Sequence, residues 1–178
     1  LAIIGTRILR RRNRALEKLK PHIQYWHDYL SKSKEKITLK YNSTIDIVND
    51  NEEKIVSEYL NKLLTQRAIE ALSGRCSVGP HRDDIEFLIN DISIRKFGSA
   101  GQQRTITLAL KMAELELVKK TIRMDPILIL DDVLAELDIV RQTLLLDSVG
   151  KKTQCFISAT HLSKFNKDFV DDSQIIYL

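Results

Sequence analysis

Residues 126–132 read PILILDD. Four consecutive aliphatic residues between a proline and two aspartates are too few for a helix, and the proline withholds a backbone donor at the start. The segment reads as a strand. Its apolar side chains fall on both parities, the pattern of a strand buried on both faces of a parallel sheet. A parallel strand needs long crossover connections, and the flanking chain offers them. Helical spacing covers residues 104–121, with Ile106, Ala109, Leu110, Ala113 and Leu117 on one face and Leu108, Met112 and Leu115 widening it, so the helix reads as buried on more than one side. A helix near 139–148, the strand QCFIS, a short helix from about residue 162 and a terminal strand QIIYL follow. This alternation predicts an α/β fold with a mainly parallel sheet and helices on its faces.

The first part of the chain has a different pattern. Leu1, Ile4, Ile8, Ala15, Leu19, Ile23, Trp26 and Leu30 fall near helical spacing, and Pro21 is expected to open a second helix or kink the first. KITLKYN and TIDIVND alternate as a short exposed hairpin would. Residues 51–74 return to helical spacing, with Asn51 as N-cap and Gly74 as stop. IEFLI and ISIRKF then read as strands joined by a turn at Asn90-Asp91. The expected division is a basic, largely helical lobe over 1–74 with a short hairpin, and an α/β part over 75–178.

Charge is unevenly spread along the 178 residues. Residues 1–40 hold eleven Lys/Arg against three Asp/Glu; of the 28 and 24 in the whole chain, 17 and 21 remain for the rest. A basic segment is therefore joined to an acidic one, the pattern of a contact surface for a polyanion attached to a domain whose acids do other work. Arg7, Arg10, Arg11, Arg12, Arg14, Lys18 and Lys20 are the candidate nucleic-acid-binding side chains, suited to salt-sensitive contact with a phosphate backbone; a solvated helix face is the alternative. His22 and His27 on this helix are expected to be solvated, and Tyr25, Trp26 and Tyr29 to join a core. No apolar run approaches a membrane span, so no membrane partner and a cytoplasmic address are expected. Cys76 and Cys155 have no neighbouring ligand pair and read as buried small hydrophobes.

Two stretches carry chemistry. PILILDD delivers Asp131 and Asp132 to the carboxyl edge of the sheet, where open α/β folds bind ligands. Adjacent carboxylates are costly without a cation, and Mg²⁺ bridging nucleotide phosphates offsets them: Asp131 would hold the metal and Asp132 would orient or deprotonate an attacking water. The same pair could instead cap the following helix, a role that needs only one acid. FGSAGQQRT, residues 97–105, sets Ser99, Gly101 and Gln102 before a long helix, where free N–H groups suit a phosphate. Serine and glycine are equally ordinary cap residues there. His81, Arg82, Asp83 and Asp84 are consecutive and cannot all converge on one ion; Arg82 is expected to pair with an acid.

Together these residues resemble the ATP-binding-cassette ATPases. GSAGQQR at 98–104 is similar to that family's signature sequence, ILILDD to its Walker B strand, and AELD at 135–138 to the loop after it. VGPHRDDIEFLIN, RKFGSAGQQR and PILILDDVLAELD in this order resemble the RecF family, relatives of the SMC and Rad50 proteins, over roughly residues 78–160.

The resemblance implies an ABC-ATPase-like head lacking its P-loop part, which would lie N-terminal to a chain that begins in mid-helix at Leu1. It implies a homodimer that closes on ATP, with Ser99, Gly101 and Gln102 contacting in trans the nucleotide of the other head, Asp138 in an inter-head loop and His161 sensing γ-phosphate. It further implies DNA repair and recombination at gaps and single-strand/double-strand junctions in the nucleoid, with recombination mediator proteins and a recombinase as partners. Ala100 stands where the family has glycine and Asp132 where it has glutamate, which implies slow ATP hydrolysis; Glu136 is an alternative base. A nucleotide-regulated DNA clamp with incidental turnover, or a metal-dependent nuclease using Asp83, Asp84, Asp131 and Asp132, are the competing readings.

Overall fold

The computed structural model describes residues 1–33, 35–45, 50–131, 134, 137–149, 153–162, 165 and 167–177. In chain order they form α1 (Ala2–Ser31), β1 (Ile37–Asn42), α2 (Glu52–Ser73), β2 (Asp84–Ile89), β3 (Ile92–Ser93), α3 (Ile94–Phe97), α4 (Ala100–Ile122), β4 (Leu128–Asp131), α5 (Ile139–Val149), β5 (Cys155–Ser158) and α6 (Lys167–Asp171). Two compact units arise: Leu1–Lys20 with Lys36–Phe97, and Pro21–Glu35 with Gly98–Leu178. The boundary therefore does not fall at residue 74. β2 is the partner of β1, which keeps residues up to 97 with the first unit. The last third of α1 supplies Trp26, Tyr29 and Leu30 to the core of the second.

The first helix runs unbroken through Pro21. An interior proline costs about 3 kcal/mol, and burial along one face offsets it: Ala2, Leu9, Leu16, Ile23 and Leu30, seven residues apart, are all buried. The buried stripe coincides with the expected one at Ile23 and Leu30 but not in the first turns, where Leu1, Ile4 and Ile8 are exposed.

In the first unit, Ala2 and Leu9 pack with Ile45, Ile55, Tyr59 and Val78. Asn51 caps α2 by accepting the Lys54 N–H, and Gly74 ends it at φ 65°. The expected hairpin is not formed in the expected way. β1 pairs antiparallel with β2, from Ile37 opposite Ile89 to Asn42 opposite Asp84, and residues 46–49 of TIDIVND lie outside the described residues. Asn90 and Asp91, both at positive φ, turn β2 into β3, as a two-residue hairpin requires. The three-stranded sheet β1-β2-β3 is antiparallel, and ISIRKF leaves the strand after two residues to form α3.

In the second unit, β4 and β5 pair in parallel. Leu128 and Leu130 pack on Leu108, Ala109 and Met112 of α4 and Leu145 of α5. The strand is not buried on both faces: Ile129 is 72% and Phe156 51% exposed. α4 likewise buries one broad face, Thr105, Ile106, Leu108, Ala109, Met112 and Ala113, and leaves Gln103, Arg104, Thr107 and Lys111 exposed. Residues 174–177 form no strand. Among the described residues no helix is long and apolar enough to cross a membrane.

Three further expectations are corrected. Cys76 is exposed and Cys155 half-buried. His22 lies 3.2 Å from the Glu116 carboxylate. His27 is buried, with Glu35 at 3.6 Å and Asp28 at 3.8 Å, and among the described residues its Nδ1 has no hydrogen-bond partner. Burial holds its pKa below the ordinary 6.5, more than Glu35 and Asp28 raise it.

A Cβ on Gly5 would lie 2.5 Å from the Tyr59 ring. Gly5→Ala should therefore destabilise the chain by about 1–3 kcal/mol in urea unfolding, and trimming Tyr59 to Leu should recover part of that loss. Because folded His27 titrates below its unfolded 6.5, its contribution is complete above that pH and is lost as pH falls toward the lowered value. Urea midpoints between pH 7.5 and 5.0 should fall less steeply for His27→Gln than for the native sequence.

Candidate functional site

FGSAGQQRT becomes the start of α4. Ser99 is extended (φ −63°, ψ 156°) and its hydroxyl accepts the Gln102 N–H at 3.2 Å, while the Gln102 side-chain oxygen accepts the Ser99 N–H at 3.0 Å. This reciprocal capping box satisfies two donors. The N–H groups of Ala100 and Gly101 have no intrahelical acceptor at this position. Ser99 and Ala100 are exposed, Gly101 and Gln102 half-buried. A Cβ at Gly101 would meet only the Ser99 hydroxyl, at 3.9 Å. Among the described residues the first turn thus leaves the Ala100 and Gly101 N–H groups without a bonded acceptor, at a helix end of partial positive charge, an arrangement suited to an anion.

Parallel pairing sets Asp131 beside Ser158 at the ends of β4 and β5. Asp131 is exposed, and one carboxylate oxygen accepts the Ser158 hydroxyl at 2.5 Å. His161 is exposed three residues past the end of β5. The carboxyl edge of this strand pair therefore gathers Asp131, Ser158 and the segment leading to His161. Ser158 was missed from sequence; a hydroxyl ending the strand after PILILDD was the available signal. Asp132 and Glu136 lie outside the described residues. Among the described residues no group of three or more His, Cys, Asp or Glu side chains could cage a metal. The exposed Asp131 carboxylate suits Mg²⁺, which is commonly held by one or two carboxylates together with substrate phosphates.

Asp138 caps α5. Its carboxylate accepts the Arg141 N–H at 2.9 Å and the Arg141 guanidinium at 2.6 Å, and its carbonyl accepts the Gln142 N–H at 3.0 Å. The Arg141 N–H is the main reason its carboxyl sits below the ordinary aspartate range. Gln142, buried, donates to the carbonyls of Leu134 at 2.6 Å and Leu137 at 3.2 Å. Arg141 and Gln142 thus pin the turn that carries Asp138, a role visible in sequence only as polar residues in the first turn of a helix.

The basic side chains of α1 divide into two sets. Arg7, Arg11, Arg14 and Lys18, spaced by four, three and four residues, share one face, and all are exposed. Arg7, Arg11 and Lys18 make no ion pair among the described residues, while Arg14 lies 3.2 Å from Asp50. Arg10 bonds Asp50 and Glu52, and Arg12 donates to the Pro80 carbonyl. Lys20 pairs with Glu17 at 2.5 Å.

The GPHRDD carboxylates are occupied by structure. Asp83 accepts from the Tyr41 hydroxyl at 2.6 Å and from the Ser43 hydroxyl and Thr44 N–H at 3.1 Å each. Asp84 pairs with Arg95 at 2.7 Å. Arg82 does not make the expected pair with an acid among the described residues; it donates to the Cys76 carbonyl at 2.8 Å.

No protein-family model matches the chain. The DNA replication and repair protein RecF of Thermosynechococcus vestitus is 47% identical over 176 residues, covering 99% of this chain and 46% of that protein. RecF of Nostoc punctiforme is 43% identical over 178 residues, covering 100% and 48%. Among solved structures, the recombination mediator protein RecF of the RecFOR pathway with ATP superposes at a TM-score of 0.79 with 32% identity, over 91% of this chain and 43% of that one. Its complex with an ATP analogue gives 0.80 and 34%, over 93% and 44%. The sheet and helices described above are thus part of an α/β fold of the ABC-ATPase type. The chain belongs to the RecF family and spans a little under half the length of the relatives it matches.

Proposed function

We propose that the chain is the C-terminal part of an ATP-dependent DNA repair and recombination protein of the RecF type, acting in the bacterial cytoplasm on nucleoid DNA. The observation that carries this reading is the RecF likeness along essentially the whole chain, joined to a fold neighbour named as a complex with ATP. The exposed apolar face of β4 and β5, Ile129 and Phe156, is what a head lacking the rest of its sheet would leave uncovered.

In this reading Ser99, Gly101 and Gln102 contact the γ-phosphate of nucleotide held by a second copy, and the free N–H groups of the α4 first turn supply the donors. Asp131 holds Mg²⁺, which would neutralise phosphate charge when bound. Asp132 orients or deprotonates the attacking water, His161 senses the γ-phosphate, and Asp138, braced by Arg141, lies in the inter-head loop. Arg7, Arg11, Arg14 and Lys18 contact the DNA backbone; Arg10, held by Asp50 and Glu52, contributes less. ATP-driven dimerisation at gaps and single-strand/double-strand junctions then assists recombinase loading with mediator proteins. The nuclease reading loses support because Asp83 and Asp84 are already bonded within their own unit.

Gly101→Ala separates fold from function. It adds a methyl into open space at a helical position, so stability should stay constant or rise by up to about 1 kcal/mol. Loss of one charge-assisted phosphate contact should weaken ATP-dependent dimerisation of the full-length protein by about tenfold or more, read by analytical ultracentrifugation. An unchanged dimer would remove the signature role. Asp131→Asn should lower Mg²⁺-dependent ATP turnover on the order of a hundredfold. If Asp132→Asn abolishes turnover while DNA-dependent function persists, the clamp description is the better one.

A further inference from the structure

Of the three aromatic side chains expected to join a core, Tyr25 does not: it is 58% exposed. Trp26 and Tyr29 are half-buried against the core of the second unit, and they brace its ring. Tyr25 meets Trp26 edge-on at 5.4 Å and lies nearly parallel to Tyr29, at 6.4 Å and 14°. Trp26 in turn meets Tyr29 edge-on at 5.7 Å. The indole is tied to α4, because its Nε1 donates to Glu116 at 3.1 Å. The same carboxylate has His22 at 3.2 Å and Lys120 at 2.8 Å, so basic groups offset its charge.

The place of Tyr25 on α1 sets it apart from a ring that is merely exposed. α1 is a single helix over Ala2–Ser31. At 3.6 residues per turn, Tyr25 falls within about 40° of Arg7, Arg11, Arg14 and Lys18 around that helix, and about 10 Å beyond Lys18 along it. Between Arg7 and Tyr29 this face carries no acid. An exposed aromatic ring in line with a row of cations is the make-up of a surface for unpaired nucleic acid. The cations follow the phosphates, and the ring stacks on a base, whose faces are free only outside a duplex.

We propose that Tyr25 is a base-stacking residue, which gives the basic stripe of α1 a preference for single-stranded over double-stranded nucleic acid. This rests on the DNA-binding reading of α1 and adds to it a contact that reads bases rather than backbone. A cationic face without acids opposes a basic protein segment and favours a polyanion.

The test is binding of the full-length protein, with ATP and Mg²⁺, to a fluorescent oligothymidylate and to a duplex of the same length. Tyr25→Ala should weaken single-strand binding by about tenfold and leave duplex binding within about twofold. Tyr25→Phe and Tyr25→Trp should keep the native preference. Equal losses on both forms, or no loss on either, would overturn the proposal. If Tyr25→Ala loses nothing while Arg11→Gln/Lys18→Gln weakens both forms, the backbone reading of α1 survives alone. Failure of the native protein to bind either form would overturn both readings. Loss of self-association in Tyr25→Ala, with nucleic-acid binding unchanged, would assign the ring to a protein contact and so overturn the proposal. Should Tyr25→Ala unfold, a single strand carrying iodouracil decides the matter. Ultraviolet cross-linking of the native protein at Tyr25, read by mass spectrometry, supports stacking, and its absence there overturns it.

Discussion

Parallel pairing of Asp131 with Ser158 brings β4 and β5 to an end at the same level, and the candidate nucleotide edge depends on that register. A slip of one residue would turn Leu128 and Leu130 outward and Ile129 and Asp131 inward. Burial of Leu128 and Leu130 against α4 and α5 opposes the slip, since exposing each leucine forfeits about 1.5–3 kcal/mol. The same packing faces Asp131 to solvent, where its carboxylate accepts the Ser158 hydroxyl. Hydrophobic burial on one face therefore sets the position of the acid on the other. Leu134, Leu137 and Asp138 have their own anchors, because Gln142 bonds the carbonyls of the first two and Arg141 holds the third.

In the first unit, Asp83 takes the corresponding part. Three donors from the end of β1 and the two residues after it converge on it, and burial, together with the bond to Asp83, raises the Tyr41 phenol's pKa to about 12. A carboxylate so engaged is a structural acceptor that tethers the end of β1 to the start of β2. Gly79, at φ 143°, and the Arg12 bond to Pro80 add to the same tether. What reads along the chain as a dense charged run is in space a fastened turn with its acids directed to internal partners and its cations left outside.

Much of this was legible from residue order. Asn51 and Gly74 at the ends of α2, the positive-φ pair Asn90-Asp91, the broad buried face of α4 and the β-α-β order around PILILDD all follow from local chemistry: caps, turn conformations and periodicity act within a few residues. The errors cluster where partners are distant. KITLKYN finds its strand partner more than forty residues later in β2, not in the next alternating segment. The buried stripe of α1 follows its neighbours rather than its most hydrophobic residues, and His27 is enclosed by packing that no local pattern announces.

By itself the sequence determined the elements, the acids ending PILILDD, the serine and glycines before α4, and the basic stripe, because spacing along one helix or strand specifies which side chains share a face. Only the tertiary structure decided which of those groups are spent. Asp83 and Arg10 are bonded to residues about forty positions away and Asp84 to Arg95 of α3, whereas Asp131, Arg11 and Arg82 keep exposed groups. Hydrogen bonds and ion pairs between distant segments form only once the core has brought those segments together, so the difference between a structural charge and an available one is a property of the fold.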